Sequence, residues 1–206
     1  MTDAQTPTKR RRSREQTRQR LLDAALRIFA SNGFERATID EIVREAGFSK
    51  GAFYVHFESK EDLFWEIFRQ RIEARKETLW QAIEPNIGLA ESQRLLLEAF
   101  FDAPGSGPLG PAVYYEFLAH AMRNGMVRAR LAEFYAGWHD FVLDALKLGR
   151  ERKIIRDDVD ISLQASALMA TYEGALIQSQ LAPEHLRLSG RVNEFSKLLA
   201  DWLVRR

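Results

Sequence analysis

The chain has no cysteine among its 206 residues, which removes disulfide frameworks and thiolate metal sites together and agrees with a reducing compartment. It also lacks any apolar run near the roughly 20 residues that a membrane-spanning helix needs. The charged N-terminus is not followed by the apolar segment of a signal peptide. The expectation is therefore a cytoplasmic protein with no membrane partner. Neither a glycine-rich phosphate loop nor a nucleophile elbow occurs in the sequence, so no catalytic residue, cofactor or metal is expected, and an enzyme is not the first reading.

What remains is an ordinary globular composition, 46% apolar and 29% charged, in a chain long enough to bury a core. The net charge of +1 conceals an asymmetry. Residues 1–60 carry twelve Lys/Arg against eight Asp/Glu, whereas the remainder carries eighteen against twenty-one. A basic N-terminal module on a mildly acidic body points to a polyanionic partner at one end.

The stretch from Thr38 to Lys60, TIDEIVREAGFSKGAFYVHFESK, organises the rest. Thr38 and Glu41 have the spacing of a capping box. Ile39, Ile42, Val43 and Ala46 follow at helical period, and Gly47 stands where a helix exits through left-handed backbone. Ser49 can cap a second short helix from Lys50 to about His56, buried through Phe53 and Phe57. Lys50, Gly51, Ala52, Tyr54 and His56 then face outward. Helix, tight glycine turn, helix is the helix-turn-helix pattern, whose second helix enters a DNA major groove.

Residues 38–63 resemble the DNA-binding signature of TetR-family transcriptional regulators, with Thr38, Ile42, Ala46, Gly47, Ser49, Gly51, Tyr54, His56, Phe57, Lys60 and Leu63 in place. The similarity extends over about residues 15–65, and its departures, Phe53 and Val55, fall where the family varies. The expected DNA contacts are Ser49, Lys50, Gly51, Ala52 and Tyr54 to bases and nearby backbone, with Thr38, His56 and Lys60 to phosphates.

Taken in order, residues 1–13 read as a disordered arm carrying Lys9, Arg10, Arg11 and Arg12. Residues 14–58 form the three-helix DNA-binding domain. Its first helix runs from about Arg14 to Ser31, with Arg18 and Arg20 facing solvent, and is closed by Asn32-Gly33. Residues 59–206 form a helical ligand-binding and dimerisation body. Its first helix is capped at Ser59 and long enough to join the two parts. Further helices are expected over 90–103, 111–123, 127–147, 161–181 and 189–204, so the fold class is all-α.

The body is rich in aromatics interleaved with a few polar groups. The resemblance implies an effector pocket there, for which Tyr114, Phe117, His120, Trp138 and Tyr172 are the candidates. Glu116 and His120 lie four apart on one helix face, yet they read better as a hydrogen-bonded pair than as metal ligands. Leu168, Tyr172, Ala175 and Leu176, with Phe195, Leu199 and Leu203 on the last helix, are the candidate dimer interface. The implied function is a homodimeric repressor on a palindromic operator, released by a small hydrophobic or amphipathic effector. The alternatives are a DNA-binding dimer without an effector, or a small helical enzyme or ligand carrier.

Overall fold

The computed structural model describes residues 7–83, 91, 94–95, 110–186 and 191–201. Among them are eight helices and no strand: α1 (Pro7–Arg36), α2 (Ile39–Ala46), α3 (Lys50–Tyr54), α4 (Lys60–Ile83), α5 (Pro111–Arg123), α6 (Gly125–Glu151), α7 (Ile161–Leu181) and α8 (Val192–Asp201). The helix expected over 90–103 and the Gly/Pro loop after it lie almost wholly outside the described residues. None of the described helices is long and apolar enough to cross a membrane.

The N-terminal arm differs from its expectation. Pro7 opens α1, a position where proline's missing N–H costs nothing, so Lys9 to Arg12 sit on the opening turns of a helix. The other end of α1 is kinked at Gly33, with φ 78° and ψ 171°. Caps set most remaining boundaries. Asn124 accepts the amides of Met126 and Val127 at the start of α6, and Asp160 those of Ser162 and Leu163 at the start of α7.

The chain divides into two compact units. The first comprises residues 1–71 and 108–120, so it takes in the first half of α4 and most of α5, where the sequence alone suggests an end at residue 58. Its core is aromatic. Phe29, Phe34, Phe53, Phe64 and Phe117 are all but fully buried, and Phe64 stacks on Phe117 with centroids 4.2 Å apart. Each such ring contributes on the order of 2 kcal/mol through burial.

The second unit comprises residues 72–107 and 121–206. Here α6 packs against α7. The buried stripe of α6 is Val127, Leu131, Trp138, Val142 and Leu146, and that of α7 is Ala165, Leu168, Tyr172, Ala175 and Leu176. The turn between them folds back on itself, with the Ile154 amide donating to the Gly149 carbonyl and Ile155 fully buried.

Candidate nucleic-acid interface

The helix-turn-helix is built from local interactions. The Thr38 hydroxyl oxygen accepts the Glu41 amide, while the Glu41 carboxylate accepts from both the Thr38 amide (2.9 Å) and its hydroxyl (2.7 Å). These bonds hold the exposed Glu41 carboxyl below its usual range, the Thr38 hydroxyl contributing most. Gly47 adopts left-handed backbone, φ 73° and ψ 36°, and the amides of Gly47 and Phe48 return to the carbonyls of Arg44 and Val43. Ser49 then caps α3 by accepting the Ala52 amide.

Two side chains from outside the motif fix its turn. Arg20 of α1 donates to the Ala46 carbonyl (2.9 Å) and lies over the Phe48 ring. Arg18 pairs with Glu66 of α4 at 2.8 Å and lies over Phe57. Burial pushes the Glu66 carboxyl up, but hydrogen bonds from Arg69, Arg18 and Gln70 outweigh it and hold the group below its usual range. Arg18 is half-buried, while the exposed Arg20 adds a contact to the solvent-facing role expected of both. Nothing in one dimension marks them, because their partners are a carbonyl 26 residues away and a carboxylate on another helix.

The predicted contact residues divide into two groups. Ser49, Lys50, Gly51 and Tyr54 are exposed together on α3 and its cap, Ala52 is half-buried between them, and Val55 joins the patch. Tyr54 is 58% exposed, and its ring packs edge-on against the buried Phe53. The Lys50 ammonium meets the Asp40 carboxylate of α2 at 2.9 Å, which raises its proton affinity and holds the side chain ready at the front of the motif. His56 is half-buried. Burial first, then the charges of Arg14 and Arg18, lower its pKa, so the ring is neutral near physiological pH.

Two phosphate assignments change. Lys60 does not reach outward: its ammonium donates to the carbonyls of Phe34 (2.8 Å), Glu35 (3.1 Å) and Ala37 (3.0 Å) and lies over the Phe34 ring. All three donors of an ammonium are thereby satisfied. Thr38 is exposed, but its amide and hydroxyl both donate to Glu41. Both residues shape the module from within.

The other candidate sites are also redistributed. Tyr114 and Phe117 are buried in the first unit, Tyr114 stacked on Phe68, and His120 lies against Phe34 and Glu35. Trp138 and Tyr172 are buried in the second unit, where burial pushes the Tyr172 phenol far above its usual range. The five are thus divided between the two units. The second unit does hold an open one of about 400 Å³, lined by Tyr135, Ala136, His139, Ser166, Met169, Ala170 and Glu173. Tyr135 donates to the Glu173 carboxylate across it. Among the described residues no acidic, histidine or cysteine cluster could hold a metal ion.

The proposed dimer residues need a similar correction. Leu168, Tyr172, Ala175, Leu176 and Leu199 are buried within the chain's own core, Phe195 is half-buried, and Leu203 lies outside the described residues. The exposed apolar side of α7 is instead Leu163, Ala167, Ala170, Ile177 and Leu181.

Comparison with known proteins places this geometry. Residues 21–67 match the family described as bacterial regulatory proteins, tetR family, and residues 89–201 match the BetI-type transcriptional repressor C-terminal family. The chain belongs to the TetR family. Among its relatives, the HTH-type transcriptional regulator SrpR of Pseudomonas putida is 26% identical over 165 residues, covering 79% of this chain and 72% of SrpR. The uncharacterized HTH-type transcriptional regulator TtgW, also of Pseudomonas putida, is 33% identical over 120 residues, covering 56% of this chain and 87% of TtgW.

Solved TetR-like structures agree in fold. The regulator FadR from Bacillus subtilis in complex with stearoyl-CoA superposes with a TM-score of 0.72 at 19% identity, covering 88% of this chain and 97% of FadR. A regulator from Saccharomonospora viridis in complex with choline gives 0.74 at 22%, covering 93% and 100%. TetR-family members are DNA-binding transcriptional regulators, and the matched relatives are regulators rather than enzymes.

Proposed function

We propose that this TetR-family chain is a homodimeric repressor that reads a palindromic operator and releases it when a small hydrophobic or amphipathic effector binds the second unit. The observation that carries the reading is the exposed set Ser49, Lys50, Gly51 and Tyr54 on a capped, arginine-braced helix-turn-helix. Lys50 and the Tyr54 hydroxyl can donate to base edges, and Gly51 lets backbone approach the groove. His56 and the basic opening turns of α1 are the phosphate partners. Because DNA lies in the cytoplasm of a bacterium, that is the compartment of action.

Dimerisation follows from contact arithmetic and from α7. One five-residue recognition helix makes too few contacts for site-specific affinity, whereas a two-fold pair reads two half-sites about 34–36 Å apart. Leu163, Ala167, Ala170, Gly174, Ile177 and Leu181 recur at alternating spacings of four and three, the period of a helix seam. Leu163 and Leu181 are 67% and 78% exposed, and a Gly174 Cβ would meet no described residue beyond its own helix backbone within 4 Å. A second copy of α7 is the occupant we assign to this face. Effector release is supported by the open cavity between α6 and α7 and by the ligands named in the FadR and S. viridis structures. Effector binding acts only through its different affinity for the DNA-competent and released states.

Selection from a random duplex pool at a stated near-physiological salt tests the reading. The expected result is a palindrome with half-sites one helical turn apart. Binding with no motif that vanishes as salt rises would overturn it and leave a non-specific phosphate binder.

A further inference from the structure

The segment over residues 33–38, the kinked end of α1 and its link to α2, is gripped from two sides. Its carbonyls belong to α4, through the three hydrogen bonds from Lys60. Two of its amides are held from α5. The Glu116 carboxylate accepts the Phe34 amide at 2.7 Å and the Glu35 amide at 3.3 Å through the same oxygen, Oε2. These charge-assisted bonds to backbone are the stronger kind.

Gly33 is shaped to this contact in two ways. Its backbone, φ 78° and ψ 171°, lies where only glycine is at ease. A Cβ added there would stand 2.6 Å and 2.7 Å from the two Glu116 oxygens, so the carboxylate would have to shift from its place. The Phe34 ring then fills the pocket below, 5.1 Å from Phe64, 5.1 Å from Phe117 and 5.2 Å from His120. The His120 ring, one turn beyond Glu116, is 3.2 Å from the Glu35 carboxylate and 3.4 Å from that of Glu61. α2 starts at Ile39, immediately after the gripped segment, and α3 follows through the Gly47 turn. Any rotation of residues 33–38 therefore re-aims the recognition helix.

We propose that Glu116 is a positioning residue for DNA reading: by holding the Phe34 and Glu35 amides it fixes the angle at which α2 and α3 leave α1. This rests on the DNA-reading function proposed above. Glu116 touches no base or phosphate in this role. It is also a handle, since α5 runs on to Arg123 past the limit of the first unit, and a displacement of α5 pulls first on these two amides.

The test uses the full-length protein, its selected operator and an unrelated duplex, with Glu116→Ala and Glu116→Gln measured at a temperature where circular dichroism shows each folded. Amide exchange is followed at Phe34 and Glu35 by NMR. The Ala variant is expected to speed exchange at those two amides and to lose about tenfold in operator affinity. Its affinity for the unrelated duplex and its salt slope should stay at the wild-type values, because the phosphate contacts remain. Gln keeps a carbonyl acceptor and should fall between Ala and wild type in both exchange and affinity.

Operator affinity equal to wild type in either variant, with Phe34 and Glu35 exchanging faster, would overturn the positioning role. So would an equal loss on both duplexes, which marks a merely structural residue. Should Ala fail to fold, the Gln variant alone decides on the same readouts. Failure of the wild-type protein to select any operator would instead strike the proposed function, and the two failures are told apart by the wild-type arm.

Discussion

The two units differ in how densely their polar side chains gather on backbone. In the first, long side chains reach across the sequence to backbone: Arg20 to the Ala46 carbonyl, Lys60 to three carbonyls, and Glu116 to two amides. The second has such reaches as well, from Lys76 to the Gly137 carbonyl and from Tyr135 to the Glu173 carboxylate, beside local pairs such as Lys147 with Asp144 and Arg156 with Asp158. There the helices meet chiefly through apolar stripes. Hydrogen bonds to backbone are directional and fix one geometry, whereas apolar contact tolerates repacking at constant volume. The contrast fits the function proposed above, with one unit that matches DNA and another that yields to an effector.

The largest effect that would break this contrast is at Lys60. Lys60→Met keeps the stem but leaves three carbonyls without their donor, and it should destabilise the protein by about 2–4 kcal/mol. Thermal unfolding checks this. The salt slope of DNA binding should stay unchanged where the variant is folded. A slope reduced by about one unit would return Lys60 to the phosphates.

A second substitution, Leu163→Glu, probes the body. A charge on the α7 seam should weaken self-association by roughly tenfold or more while leaving the monomer helical, read by sedimentation velocity and circular dichroism. A dimer that persists unaltered would place the interface elsewhere.

The smallest effect concerns His56. Its folded pKa lies below the ordinary 6.5 because of burial, Arg14 and Arg18, so between those two values the unfolded chain binds more protons and stability falls as pH falls. A phosphate placed on the ring acts oppositely, favouring the proton. Operator affinity should therefore rise severalfold as pH is lowered from about 8 towards 6, and His56→Gln should flatten the profile. A wild-type profile identical to that of the variant would remove His56 from the contact set.

Much of the head was legible because its signals are local. A Thr and a Glu three apart, a glycine after the last apolar residue and a serine before Lys50 specify caps and turns through neighbours in sequence. The ends of α5 and α7 were equally plain, set by proline and glycine or by Asp160. What could not be read was the partner of a long side chain. Lys60 looks like a phosphate ligand until the carbonyls 23 to 26 residues earlier are placed beside it. The two faces of α7 were also indistinguishable, because Leu168, Tyr172 and Leu176 and Leu163, Ile177 and Leu181 are both apolar sets at helical period. Periodicity says that a face is apolar, not which neighbour covers it. The aromatics suggested for an effector wall were indistinguishable from core for the same reason, since Tyr114 and Phe117 are buried in the head.

The interior duties of the basic residues carry a consequence for counterions. Of the twelve Lys and Arg in residues 1–60, Arg18, Arg20 and Lys60 already hold oxygen atoms of other segments of the protein. Each cation so engaged displaces no sodium or potassium from the duplex. The ionic toll on the operator binding proposed above is thus expected to be smaller than the sequence's charge suggests, with a larger share of the affinity coming from shape and base edges, which salt does not erode.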